Sequence, residues 1–394
     1  MYLPNYENGS IVNLMSSISR AFGTRARYKP LKILNTSELK SKNIVLLVID
    51  GLGYEYLMNC KKDNILKQNL KGEITSVFPA TTGAAIPTFL TGVPVQQHAI
   101  TGWFVYLKEL GLVSTILHFI ARSGSEPLSY IGVKPKKIFT EKSFFDKIKA
   151  TSYFIQDKTI AYSDFSLTNK GKARVLSFKP SSLNSFFMQI KKAINSSNRR
   201  KYIYAYWPDF DTLCHSYGTK SIKTKKHFSE INKKLKSFIK SIKKTDTTVI
   251  VTADHGFIDT DKSKLIDLAK HPKLSDSMII PLCGERRLAY CYVSPSKTKQ
   301  FEDYVKKNLK HTCYLYKSND LSTSLINATA SYIDASITPN SPEFSFEITN
   351  YNLSLQSLDF DVELSNDIVG ENNYVLIEVR VNNNFNTWTA DTLI

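Results

Sequence analysis

A chain of 394 residues can bury a large core, and 42% hydrophobic with 22% charged residues is the composition of one large or two smaller folded domains, not of a disordered or fibrous protein. The longest apolar run, around residues 44–49, is far too short to span a bilayer, and the first seven residues lack the basic start and apolar stretch of a secretion signal, so no membrane association is expected. The formal charge of +17 suits anionic partners, but a Lys-, Asn- and Ile-rich coding bias accounts for it equally well, and no nucleic-acid motif supports that partner: the lysines lie mostly on one expected helix without interleaved aromatics.

Residues 10–40 read as a helical lead-in, with Ile11, Leu14, Ile18 and Phe22 at helical spacing. The apolar run Asn43 to Ile49 then predicts a strand buried on both faces; it ends on Asp50, followed by Gly51-Leu52-Gly53. Residues 54–70 read as the helix returning across the sheet. Thr75 to Phe78 predicts another strand, broken by Pro79, after which Ala80-Thr81-Thr82-Gly83-Ala84 opens a helix. A hydroxyl there lies at a helix N-terminus, where open N–H groups and the dipole favour an anion, although a threonine at such a position is as readily a simple N-cap. His98, further along the same rim, reads as a hydrogen-bonded core or supporting residue.

The short apolar runs Leu112 to Ile120, Ala150 to Ile155 and Ala173 to Phe178 alternate with amphipathic segments, the pattern of βαβ repetition. Lys201 to Trp207 is a third long apolar run, followed by Asp209, Asp211 and His215. Between Lys223 and Lys244, Phe228, Ile231, Leu235, Phe238, Ile239 and Ile242 fall on one helix face and the lysines on the other. The β-branched run Thr247 to Thr252 reads as a strand buried on both faces, ending on Ala253-Asp254-His255-Gly256. Residues 286–293 read as one more strand. Beyond Thr338 there is no lysine and one arginine, Arg380, and short alternating runs such as Phe344, Phe346 and Ile348 predict a small β segment. The expected division is therefore a body of residues 1–337 and a β-rich appendage of residues 338–394. The five cysteines are odd in number and show no CxxC spacing, which favours free thiols and a cytoplasmic setting.

A lone aspartate after a strand is usually a turn former. Here three strands each deliver one, two of them with a nearby histidine, to what should be the carboxyl edge of a single sheet, where ligands of open α/β folds bind. That arrangement points to a metal centre.

In this order, Ile49-Asp50-Gly51-Leu52-Gly53, Phe78-Pro79-Ala80-Thr81-Thr82, Asp211-Thr212-Leu213-Cys214-His215 and Thr252-Ala253-Asp254-His255-Gly256 resemble the motifs of the alkaline phosphatase superfamily, and more narrowly of its type I phosphodiesterase/nucleotide pyrophosphatase branch. The resemblance runs from about residue 1 to 330. It implies a three-layer α/β/α sandwich with a mostly parallel central sheet. It also implies two divalent metal ions, zinc by the mixed His/carboxylate donors. Asp50, Thr82, Asp254 and His255 would surround one metal; Asp211 and His215 would hold the second, with Asp209 the rival of Asp211. Asp211 is preferred, since its four-residue spacing to His215 puts both on one face of a helical turn. Thr82 would be the nucleophile that hydrolyses phosphodiester or pyrophosphate bonds of small, anionic, nucleotide-like substrates through a phospho-threonine intermediate.

The chain departs from that pattern twice. The family's third ligand to the second metal, a late histidine, has no motif match here: only His271 and His311 follow His255. The asparagine that family phosphodiesterases commonly carry three residues after the nucleophile is Ala85. A phosphomonoesterase or phosphomutase of the same superfamily, or a binding protein on a decayed hydrolase fold, are the alternatives; metal content separates enzyme from binding protein.

Overall fold

A computed structural model of the chain describes residues 3–61, 64–260, 265–318 and 373–378. The strand Asn43–Ile49 is buried at every position and lies inside a five-stranded sheet ordered Arg174–Phe178, Thr151–Asp157, Lys201–Trp207, Asn43–Ile49, Thr247–Thr252. Every neighbouring pair in it is parallel. Because side chains alternate across a strand, its apolar run feeds two cores. Ile44, Leu46 and Val48 join Tyr202, Tyr204 and Tyr206 under helices Ile11–Ala21 and Thr82–Thr91. On the other face Val45, Leu47 and Ile49 join Ile203, Ala205 and Trp207 under helices Leu183–Ile194 and Ile222–Ser241. Burying one such side chain contributes roughly 1.5–3 kcal/mol. The three-layer α/β sandwich with a parallel sheet is thus as expected.

Three local expectations change. The β-branched strand Thr247–Thr252 bonds one neighbour only and is half-buried along its whole length, at the sheet's edge among the described residues. β-branching favours a pleated surface at an edge as well as in the middle. The region 54–70 holds two short helices, Tyr54–Asn59 and Ile65–Gln68, the second capped by Asn64, whose side chain accepts from Lys67 N. Leu112 to Ile120 is no parallel strand. Leu112–Thr115 pairs antiparallel with Phe104–Leu107 and with Ile120–Ala121. An apolar run of that length carries no sign of its partner's direction.

These strands belong to a second sheet of seven, ordered Cys313–Lys317, Asn373–Glu378, Leu288–Tyr292, Cys283–Gly284, Phe104–Leu107, Leu112–Thr115, Ile120–Ala121, with antiparallel neighbours throughout. Asn373–Glu378 comes from the expected appendage and lies between two strands of the body; the runs around Phe344 to Ile348 and Leu358 to Val362 lie outside the described residues. The five cysteines are free thiols, four of them buried. No described helix is long and apolar enough to cross a membrane.

Candidate metal and nucleophile site

The register of the sheet assembles the site. Val48 lies opposite Thr252 in parallel pairing, so Asp50 and Asp254, each two residues further on, emerge side by side at the carboxyl edge. Their proximity is fixed by backbone donors: Gly51 N and His255 N both donate to Asp254 Oδ1, at 3.0 and 2.9 Å. Gly51 has φ +71 and must be glycine for a second reason, since a Cβ there would fall 2.3 Å from the Phe257 ring. On the other flank Ile49 lies opposite Trp207, and helix Asp209–Tyr217 starts just beyond that strand. One turn apart on this helix, His215 Nε2 and Asp211 Oδ1 are 3.4 Å from each other.

Thr82 is the first residue of helix Thr82–Thr91, and its Oγ1 lies 2.9 Å from His255 Nε2 and 3.4 Å from Asp50 Oδ1. The other ring nitrogen, His255 Nδ1, is 3.1 Å from the Gly256 carbonyl and so carries the proton. The Thr82 hydroxyl donates to Asp50 Oδ1, and Nε2 lies beside its oxygen. The same nitrogen lies 3.4, 3.6 and 3.8 Å from Asp50, Asp254 and Asp211. One imidazole nitrogen thus faces three carboxylates and a hydroxyl.

This arrangement is starved of positive charge. Burial, and next the charges of Asp211 and Asp254, push the Asp50 carboxyl well above the usual carboxylate range, against a hydrogen bond from the Tyr206 hydroxyl. At His255 burial opposes protonation, but Asp254 and Asp211 outweigh it and raise its pKa. Asp211 Oδ1 and Asp254 Oδ2 are buried with no hydrogen-bond partner. Buried carboxylate oxygens left unpaired are costly unless a cation takes them up. Donor atoms of Asp50, Asp254 and His255 also lie within 4.8 Å of one another. Both observations, and the O/N donor set, fit a divalent metal.

All six residues singled out from sequence therefore meet at one place. Asp209, the rival of Asp211, turns away: together with Ser181 and His227 it lines a separate cavity of about 280 Å³. Neither late histidine approaches the site. His271 Nδ1 pairs with the Tyr304 hydroxyl at 2.9 Å, and His311 is exposed. His98 is buried: Ile100 N donates to its Nδ1 at 3.1 Å, so its Nε2–H faces Thr88 Oγ1 at 3.0 Å. Ala85 is fully buried in the core, so that position offers the site no polar group.

Four contributors escaped the reading of the sequence. Tyr206 on Asp50 continues the period-two series Tyr202, Tyr204, Tyr206, which was legible as a face but not as a partner. Ser76 donates to the Asp254 carbonyl. Phe257 packs edge-on against His215 and His255, at centroid distances of 4.9 and 5.7 Å. Glu285 comes from the second sheet, close enough to both histidines to feel their charge. No local pattern announced the last three.

A parallel α/β sheet whose carboxyl edge gathers acidic and imidazole side chains around a helix-start hydroxyl defines a hydrolase of the alkaline phosphatase superfamily. Residues 44–332 match the type I phosphodiesterase / nucleotide pyrophosphatase family, and the chain belongs to it. Among solved structures, murine ectonucleotide pyrophosphatase/phosphodiesterase 5 superposes with TM-score 0.55 at 16% identity, covering 74% of this chain and 76% of that one. The human protein of the same name gives 0.54 at 17%, with the same coverage. An inactive threonine-to-alanine variant of the murine protein, in complex with AMP, gives 0.54 at 16%, again with that coverage. At such identities the likeness is one of fold. Comparison with curated protein sequences finds no significant match.

Proposed function

We propose that the chain is a metal-dependent hydrolase of phosphodiester or pyrophosphate bonds in nucleotide-like substrates, with Thr82 as nucleophile. The observation that carries this reading is the placement of Thr82 Oγ1, 2.9 Å from His255 Nε2 and 3.4 Å from Asp50, at a helix N-terminus beside two orphaned carboxylate oxygens. Asp50, Asp254, His255 and the Thr82 oxygen would hold one ion; Asp211 and His215 would begin a second site that is one protein ligand short of the usual three. Bound divalent ions, zinc by the donor set, lower the pKa of a coordinated hydroxyl and offset charge on phosphate oxygens.

The chain's own groups do the rest. The hydrogen bonds of Thr82 aim its oxygen out of the helix start, toward the place where a phosphate would meet the helix dipole. Attack by Oγ1 on phosphorus expels the leaving alcohol or phosphate, which takes the hydroxyl proton, and leaves Thr82 esterified to the substrate's remaining phosphoryl group; a water then cleaves the Thr82–phosphorus ester, releasing the monophosphate and restoring the hydroxyl. Gly51 N and His255 N keep Asp254 in place, and Tyr206 keeps Asp50, so the acidic cluster does not reorganise during the reaction. The AMP held by the murine relative's variant supports a nucleotide-like substrate here. The five free thiols suit a reducing compartment, and we place the enzyme in the cytoplasm on that ground.

The test is hydrolysis of paired chromogenic mono- and diesters of one nucleotide, with and without added zinc. Zinc-dependent diester cleavage, with the nucleotidyl group trapped on Thr82 by acid quench and mass spectrometry, is expected. A preference for the monoester would move the assignment to a phosphomonoesterase or phosphomutase. A zinc-loaded protein that cleaves neither would be a binding protein.

A further inference from the structure

We infer that Phe257 is a positioning residue that holds the His215 imidazole ready for the second metal ion, making up in part for the protein ligand that this site lacks. The inference rests on the reading of Asp211 and His215 as the start of that site, and it names the group outside them on which the site depends.

The two histidines are held very differently. His255 is fixed at both ring nitrogens, Nδ1 lying 3.1 Å from the Gly256 carbonyl and Nε2 2.9 Å from Thr82 Oγ1, and its side chain is 9% exposed. His215 lies in the last turn of helix Asp209–Tyr217, with its side chain 37% exposed. Its Nε2 comes 3.4 Å from Asp211 Oδ1, but that oxygen has no hydrogen-bond partner, so no hydrogen bond joins the two. What meets the ring is Phe257, edge-on at a centroid distance of 4.9 Å and an interplanar angle of 76°. An edge-to-face pair prefers one distance and angle, so it restricts the rotamers open to a half-exposed imidazole.

Phe257 can do this because it is itself held. Its ring fills the space over Gly51, where a Cβ would fall 2.3 Å away, and it packs on the core shared by Ile49, Phe210 and Cys214. Two residues on, the buried Asp259 accepts from Thr219 N at 3.3 Å and from Thr219 Oγ1 at 2.7 Å. Thr219 follows Gly218, the residue that caps helix Asp209–Tyr217. The segment 255–259 therefore starts at the first site with His255, lays Phe257 over the Gly51 turn beside His215, and fastens to the end of the helix that carries His215. A ligand oriented before the ion arrives loses less freedom on binding, and this matters most where the protein supplies only two ligands.

The experiment is zinc titration of the metal-free full chain by calorimetry with a competing chelator, for wild type, Phe257→Ala, Phe257→Leu and Thr219→Val. Wild type is expected to bind two equivalents of unequal affinity. Phe257→Ala should weaken the second on the order of 10-fold, the scale on which residues that orient a metal ligand act. The first should change by less than about threefold, because His255 keeps its own two contacts. Activity of this variant should fall at limiting zinc and rise again with excess zinc. Phe257→Leu keeps apolar bulk against the imidazole; it is expected to lie between wild type and Phe257→Ala and to melt close to wild type, which answers any folding defect of the alanine variant. Thr219→Val, near in shape, cuts the anchor of the segment without touching either site, and should weaken the second equivalent alone. Equal losses at both sites would overturn the inference, because a general packing role does not single out His215. An unchanged second affinity would overturn it as well, and if Phe257→Ala does not fold, the leucine and valine variants decide by the same criterion. A wild type that binds a single zinc removes the second site and the inference with it. A wild type that binds two and turns nothing over fails the proposed function instead, and the titrations still decide the role of Phe257.

Discussion

Thr81 and Thr82 carry the same hydroxyl one residue apart, and the structure places them differently. Thr82 faces His255 and Asp50, whereas Thr81 is the N-cap residue and its side chain makes no capping bond. Thr82→Ala is therefore expected to lower turnover by at least ~10³-fold with the fold intact, the usual scale for losing a nucleophile. Thr81→Ala should keep most of it. Steady-state rates and circular dichroism on both variants check this, and the reverse ranking would move the nucleophile to Thr81. The same logic separates the two aspartates after the third strand. Asp211→Asn should remove one zinc equivalent and the activity, while Asp209→Asn, altered at a carboxyl that lines a separate cavity, should retain both in metal analysis.

At the scale of elements, the two proposed metal sites would draw on different pieces. The first would use two adjacent parallel strand ends and a helix start; the second would use one turn of helix Asp209–Tyr217. With two protein ligands against the first site's four, the second ion should leave first under mild chelation and take activity with it. Zinc titration of the metal-free protein reads this as two unequal affinities, and two equally tight equivalents would disprove it. Helix Thr82–Thr91 is tied by His98 to the loop after it, and this contact titrates. Burial holds the His98 pKa at about 3, below the ordinary 6.5, as the neutral tautomer between Ile100 N and Thr88 Oγ1 requires. The unfolded chain takes up a proton that the folded one refuses, so this stability is complete above about pH 6.5 and is lost as pH falls toward 3. Melting temperatures from pH 7 to 4 should fall more steeply for wild type than for His98→Gln; parallel curves would show that His98 does not titrate on unfolding.

For the whole molecule, the two sheets divide the work. The parallel sheet carries Asp50, Asp211, His215, Asp254 and His255 at its carboxyl edge, and the antiparallel sheet reaches the same place with Glu285. Deleting residues 338–394 leaves all five parallel strands, so a folded and active body is expected. It also removes Asn373–Glu378 from between Leu288–Tyr292 and Cys313–Lys317, exposing two strand edges that invite self-association. The truncated chain should keep its circular dichroism and zinc content while sedimenting partly as oligomers. Unfolded protein would show that the tail belongs to the core.

The parallel sheet, its two-sided cores and the meeting of six candidate residues at its carboxyl edge were legible in the sequence, because each rests on local chemistry. Apolar runs broken by an acid mark strand ends, four-residue spacing marks a helix face, and Pro followed by small residues marks a helix start. What local chemistry could not supply was partnership. Asp209 and Asp211 were separated only when the helix acquired an orientation against the strand before it. The strand at 247–252 has the composition of an interior strand and stands at an edge among the described residues, because edge or centre is decided by how many neighbours bond it. Leu112 to Ile120 reads like any buried strand and proved antiparallel, because direction belongs to the pair. Glu285, a lone acid between a glycine and two arginines, acquired its place only when Gly83, Gly102 and Gly284 came into backbone contact. The contact of Trp103 with Glu285 joins residues 182 positions apart in the chain, and only the tertiary structure brings them together.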